Sequence, residues 1–148
     1  MEHWELVARE SIRDIVARYN SNGDSGRVDA MMALFLGDAT LEVPGRASID
    51  GIDSIREFFS GVADGGDNGF ELKVLQHHTA THQIDIIDEG RASGRCYFAV
   101  YTQLGLDHWG RYVDEYRCRD GQWKFLRRVV HVDGFTPGGW GDARRSTG

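Results

Sequence analysis

An α+β fold follows from three observations. Stretches 3–22, 25–36 and 52–63 carry a 3.6-residue apolar period. From residue 70 onward the pattern changes to strand after strand with alternating side chains. Asp88-Glu89-Gly90 and Asp120-Gly121 supply turn chemistry that joins those strands as antiparallel neighbours. Three helices followed by an antiparallel meander pack on one face of the sheet. A strongly curved, mostly antiparallel sheet folded around them makes a cone-shaped α+β barrel with an apolar hollow, a common small-molecule site. The 148 residues suit one domain, read as 1–134 with a glycine-rich tail at 135–148. That tail reads as mobile or held by a neighbouring subunit.

The elements follow in order. In the first helix Ala8, Ile12, Ile15 and Tyr19 fall at spacings of 4, 3 and 4, so Tyr19 closes an inward stripe. Asn20-Ser21-Asn22-Gly23 breaks that helix. The second, 25–36, turns Val28, Met32 and Phe35 inward. Asp24 stands just before it, where a carboxylate accepts the first free N–H groups, so capping competes with any catalytic role. A short strand at 39–43 ends at Pro44-Gly45, and Asp50-Gly51 opens a third helix with Ile52, Ile55, Phe59 and Val62 inward. The acidic loop 63–69 reads as a flexible connection, with a lid as the alternative. Strands follow at 70–87, 91–103, 108–119 and 122–132, with a turn at 104–107.

Bulk properties exclude several functions. A net charge of −6 argues against nucleic-acid or anionic-membrane partners, which need a basic surface. The N-terminus is acidic and amphipathic, unlike a signal peptide or a membrane span. Cys96 and Cys118 lack CxxC spacing, which points to reduced thiols in a cytoplasm. No GxSxG, GxGxxG or P-loop occurs, so a serine nucleophile and a nucleotide cofactor are not expected.

The chemistry concentrates in residues 74–87, VLQHHTATHQIDII. Alternation puts His78, Ala80, His82, Ile84 and Ile86 on one face and His77, Thr79, Thr81, Gln83 and Asp85 on the other. The first row ends apolar, so His78 and His82 are expected inside. Four residues along a strand span ~13 Å, too far for one zinc, so no metal is expected. What remains is cofactor-free acid–base catalysis: a base near neutrality, an acid that orients it, and donors for developing charge. The inward candidates are His78, Asp24, Tyr19, Tyr101, Tyr112 and one of Arg127 and Arg128, between which alternation does not choose. Phe35, Tyr97 and His82 complete the expected pocket lining. Each histidine, tyrosine and arginine also has an ordinary reading as a satisfied core or solvated side chain.

With these residues in view, the chain resembles a known group. YNSNGDSGRVDAMMALFLGDATLEV, QHHTATHQIDI, GRYVDEYRCRDGQWKFLRR and VDGFTP look like SnoaL-like members of the nuclear transport factor 2-like superfamily, over nearly the whole length. The likeness is to the dehydratase-type branch, with scytalone dehydratase, bile-acid 7α-dehydratase and hexachlorocyclohexane dehydrochlorinase. It implies a cone-shaped barrel, often a trimer, that eliminates water or HCl without a cofactor. It places the family's aspartate on Asp24, its Tyr or Lys position on Tyr19, its histidine on His78 and its arginine on Arg128. A variable pocket position falls on Tyr101. The chain departs from the pattern at His82, where relatives often carry Asn, and at Tyr101, a position that is acidic in one relative.

The resulting expectation is a lyase acting on a small hydrophobic cyclic substrate. Asp24 fixes the tautomer of His78, whose other nitrogen removes a proton beside a carbonyl or leaving group. Tyr19, Tyr101 or Arg128 then donates to the group that gains charge. An isomerase or polyketide-type cyclase would use the same base. A non-catalytic small-molecule-binding module would instead leave His78 apart from Asp24. The chain is expected to form a homo-oligomer, a trimer before a dimer.

Overall fold

The computed structural model describes residues 1–64 and 69–147, so the heart of the acidic loop at 63–69 lies outside the described residues. Helix α1 spans His3–Asp24 and α2 spans Val28–Met32. Strands β1 (Phe35–Glu42) and β2 (Ile49–Asp50) precede α3 (Ile52–Ala63). The meander is β3 (Gln76–Asp88), β4 (Arg91–Thr102), β5 (Gly105–Arg119) and β6 (Gln122–Phe135). Helix α4, Trp140–Thr147, closes the chain. The six strands form one curved, unclosed sheet in the order β2-β1-β6-β5-β4-β3. Every pairing is antiparallel except that of β1 with β6. This is the cone-shaped α+β arrangement expected from the sequence.

The α1 stripe behaves as its spacing predicts: Ala8, Ile12, Ile15 and Tyr19 are all buried. They meet the inner rows of the sheet, among them Cys96, Phe98 and Val100 of β4 and Tyr112 and Tyr116 of β5. Arg9 donates to the Ile84 carbonyl at 2.6 Å and ties α1 to β3. Among the described residues, no helix is long and apolar enough to cross a membrane.

Three expected elements change. The second helix stops at Met32 because the chain beyond it pairs with β6: Phe125 N–H donates to Leu34 O at 2.9 Å, and Phe35 registers with Phe125. Phe35 therefore sits on a strand rather than a helical stripe; sheet pairing overrides local helical period here. The first long strand begins only at Gln76, since the N–H groups of Lys73 and Val74 bond the Gln103 side chain instead of a ladder. The glycine-rich tail extends β6 and then folds as α4.

The turn at Asp120-Gly121 is as read: both residues have positive φ, 53° and 75°, the signature of a tight hairpin. A less visible feature lies in β3. Ala80 registers with Tyr97 and Gln83 with Arg95, so Thr81 and His82 together oppose one position of β4. This is a β-bulge, and Thr81 adopts φ 55° to make it. Alternation therefore slips by one residue across the bulge. His77 and Thr79 register with the inward Val100 and Phe98, whereas His78 and Ala80 join the outward row.

A β-branched residue at positive φ is strained by ~1–3 kcal/mol, more than the ~0.5–1 kcal/mol that glycine costs in a strand. Thr81→Gly is therefore expected to stabilise the fold by about 1 kcal/mol, raising Tm by about 2–4 °C in calorimetry. A lower Tm would show that the threonine side chain contributes more than its backbone costs.

Candidate functional site

The bulge decides which histidine meets Asp24. Asp24 ends α1, and its Oδ1 lies 2.5 Å from His77 Nδ1 while its Oδ2 accepts the His77 backbone N–H at 2.9 Å. It does not cap α2, whose N-cap is Arg27 with no side-chain cap bond. A carboxylate only accepts, so Nδ1 carries the hydrogen, and in the neutral ring Nε2 is the acceptor.

His78, expected in that place, is exposed on the outer face. Its Nε2 lies 3.2 Å from Gln76 Oε1 and its ring 5.0 Å from Tyr101. Tyr101 and Tyr97 share that outer face, 39% and 59% exposed, and so do not line the interior. His82 does turn inward, because it follows the bulge: its Nε2 lies 3.2 Å from Tyr116 Oη.

A second imidazole faces His77. His108, on β5, registers with Val100 on the inward row, and its ring centroid lies 6.3 Å from that of His77 at 87°. Both rings pack against Phe98, at 6.4 and 6.0 Å. Asp107 Oδ2 lies 2.7 Å from His108 Nδ1, so this ring too presents a free Nε2. Asp107 is the extra residue of another bulge, since Tyr101 registers with Leu106 and Val100 with His108. The signal for His108 was available: the row Tyr112, Asp114, Tyr116, extended backward in steps of two, reaches Gly110 and His108.

Beyond Phe98 lies a buried ion pair ringed by aromatic side chains. Phe98 stacks on Tyr112 at 4.6 Å. The Arg128 guanidinium sits 3.9 Å from the Tyr112 ring, 4.3 Å from Tyr19 and 4.4 Å from Phe125. Arg128 is 0% exposed and donates twice to Asp114, both bonds at 2.8 Å. Tyr116 Oη also donates to Asp114, at 2.8 Å, and Tyr112 Oη donates to Asn20 Oδ1 at 3.1 Å. Phe35 joins the rings of Tyr19 and Phe125. Burial pushes the phenols of Tyr19, Tyr112 and Tyr116 above their usual range, so they remain donors at neutral pH. Arg127, the neighbour that alternation left open, points outward to Glu42.

Burial lowers the pKa of two imidazoles. At His108 it outweighs Asp107, with His77 and Arg144 adding to the drop. At His82 it outweighs Asp114, with Arg128 and Arg13 adding to the drop. The unfolded chain therefore binds these protons more readily than the fold does. Their contribution to stability is complete above the ordinary histidine value of ~6.5 and is lost as pH falls through the lower folded values. The urea midpoint is expected to fall between about pH 7.5 and about pH 5, before the carboxylates titrate. A midpoint flat over that window would contradict the depressed values.

Among the described residues, no three His, Cys, Asp or Glu side chains converge as metal ligands would, and His78 and His82 lie on opposite faces. A cleft of about 420 Å³ between Arg46, Arg111, His131 and Asp133 contains none of the residues singled out in the sequence.

Comparison with known proteins agrees with this architecture. A provisional scytalone dehydratase of Novosphingobium aromaticivorans superposes with a TM-score of 0.78 at 23% identity, over 92% of this chain and 91% of its own. A hexachlorocyclohexane dehydrochlorinase of Novosphingobium barchaimii gives 0.76 at 19%, over 90% and 92%. A Mycobacterium tuberculosis protein of unknown function gives 0.75 at 23%, over 89% and 75%. No curated protein sequence matches. At these identities the likeness is one of fold. The SnoaL-like domain model matches residues 4–129, and the chain belongs to that family.

Proposed function

We propose that the protein is a cofactor-independent lyase that eliminates water or hydrogen halide from a small hydrophobic cyclic substrate. One observation carries the reading: two carboxylate-held imidazoles, Asp24–His77 and Asp107–His108, face each other on the inner side of the sheet. Two like charges at that separation disfavour one another, and His77 is among the groups that lower the pKa of His108. His77 then serves as the base, and His108 stays neutral beside it.

In this reading His77 Nε2 takes the proton from the carbon beside the activating group. The C–H electron pair becomes the new double bond and the C–X bond breaks. A departing hydroxyl takes that same proton back from His77 Nε2 and leaves as water; a halide leaves with its own charge, and His77 then gives its proton to solvent. His108, kept neutral by burial with its hydrogen on Nδ1, offers Nε2 as an acceptor for a hydroxyl of the substrate. Asp24 holds His77 and stabilises the imidazolium formed there. Tyr19 and Arg128, behind the Phe98–Tyr112 stack, brace the site rather than supply the transferred proton, because Asp114 neutralises Arg128. The half-buried rings of Phe135 and Trp140 beside His108 favour an apolar cyclic substrate. Related geometry would also serve an isomerase that returns the proton to the substrate.

The test starts with a panel of cyclic alcohols, enones and alkyl halides, screened by thermal shift for compounds that raise Tm. Binders deuterated at the activated carbon are then followed by mass spectrometry. Loss of water or hydrogen halide together with the deuterium is expected. Recovery of an isomer would make the protein an isomerase, and recovery of every binder unchanged would make it a binding module.

The outer face of the sheet supports a homo-oligomer, read as a trimer: Tyr97, Tyr101, Leu106, Trp109 and Val113 leave a broad apolar surface in water. Light scattering is expected to give a multiple of the 16.6 kDa chain mass, reduced by Trp109→Glu. A monomeric wild type would refute it. The free cysteines suit a reducing cytoplasm, with burial pushing the Cys96 thiol up to about 11.

A further inference from the structure

One carboxylate at the start of β5 serves two elements. Asp107 is 2% exposed. Its Oδ1 accepts the Trp140 N–H at 2.7 Å and its Oδ2 accepts the Gly141 N–H at 2.8 Å. The same Oδ2 holds His108 Nδ1 at 2.7 Å. Its backbone carbonyl accepts the Thr136 N–H at 2.7 Å, and Thr136 Oγ1 donates to Leu106 O at 2.6 Å. The helix lies close enough that only glycine fits. A Cβ on Gly139 would stand 2.4 Å from Asp107 Oδ1, and one on Gly141 would stand 2.9 Å from both Asp107 Oδ2 and His108 Nδ1. Trp140 then lies against His108, with ring centroids 6.1 Å apart, and Arg144 covers Trp140 at 4.7 Å.

We propose that Asp107 is a positioning residue that couples the seating of α4 to the state of His108. With α4 seated, its first N–H groups and the imidazole share one desolvated carboxylate. The shared bonds fix that carboxylate in one orientation and hold His108 in the form with hydrogen on Nδ1 and Nε2 free. With α4 unseated, the carboxylate loses two donors, gains water and releases its hold on the ring. The sequence Pro137-Gly138-Gly139-Trp140-Gly141 is thus a close-approach segment and not a spacer. The inference rests on the reading of His108 as part of the proposed site, but its test needs no turnover.

The groups facing His108 are Asp107 on its own strand, His77 with Asp24 behind it from β3 and α1, Arg144 from α4, and the apolar rings Phe98, Phe135 and Trp140. Nitrogen NMR of the full-length chain, with His108→Gln assigning the signal, reads the tautomer and titration of this ring directly. Gly139→Ala unseats α4 without altering the sheet. It is expected to move the His108 titration upward, as burial and Arg144 are withdrawn, and to shift the tautomer toward hydrogen on Nε2. Asp107→Asn keeps an acceptor for the helix but drops the charge, and is expected to move the titration further down. If both variants titrate as wild type while Tm falls, Asp107 is a helix cap only and the coupling is wrong. If the ring responds as stated but no compound is turned over, the coupling stands and the lyase reading falls.

Discussion

His77→Ala is expected to lower turnover about 10²–10⁴-fold, the contribution of a positioned general base, whereas His78→Ala leaves it near wild type. The contrast between adjacent residues makes the experiment decisive. His77 lies against Asp24 on the inner face, while His78 contacts Gln76 and Tyr101 on the outer one. Asp24→Asn should approach the loss of His77→Ala, because an amide neither fixes the Nδ1–H tautomer reliably nor stabilises the imidazolium. Circular dichroism and Tm serve as controls, since Asp24 and His77 are partly exposed and not core residues. Full activity in His77→Ala, or loss confined to His78→Ala, would move the site to the other face of the sheet.

The largest effect on stability is expected at Asp114. Asp114→Asn leaves the Arg128 guanidinium fully buried with no counter-charge, at a cost of about 3–5 kcal/mol. For a chain of this size that corresponds to a fall in Tm of about 6–20 °C. Arg128 has few ways to relax: it is enclosed by Tyr19, Tyr112 and Phe125, and its Nη1 already lacks a hydrogen-bond partner among the described residues. Arg128→Met is expected to be comparably severe, because it strands Asp114 and the Tyr116 hydroxyl bonded to it. The paired variant Asp114→Leu/Arg128→Met should recover much of the loss, because neither charge then remains buried. Additive losses in the double variant would show that the two side chains act independently.

The sequence carried the fold class. The α1 stripe, the limits of α3, the meander and the Asp120-Gly121 hairpin all rest on local period and turn chemistry, and all appear in the structure. Tyr19, Asp24, Arg128, Tyr112, His82 and Phe35 were singled out in the sequence, and the structure places them inside or at the rim of the core. His78, Tyr97 and Tyr101 were placed on the wrong side. For His78 the reason is one inserted residue: counting back from Ile84 in twos is sound until Thr81, where two residues oppose one. No glycine marks that bulge, so only the pairing of β3 with β4 reveals it.

The same distinction accounts for the rest. What the chain determined locally is an α+β fold and an inward tyrosine on the first helix. Tertiary structure alone decided that His77 and not His78 meets Asp24, and that His108 and Asp107 lie beneath α4; it also encloses Arg128, which the resemblance implied and alternation left open. The physical reason is that period specifies the face of an unbroken strand. Bulges, parallel pairing and the approach of one segment to another are settled only when distant residues compete for the same space and the same hydrogen bonds.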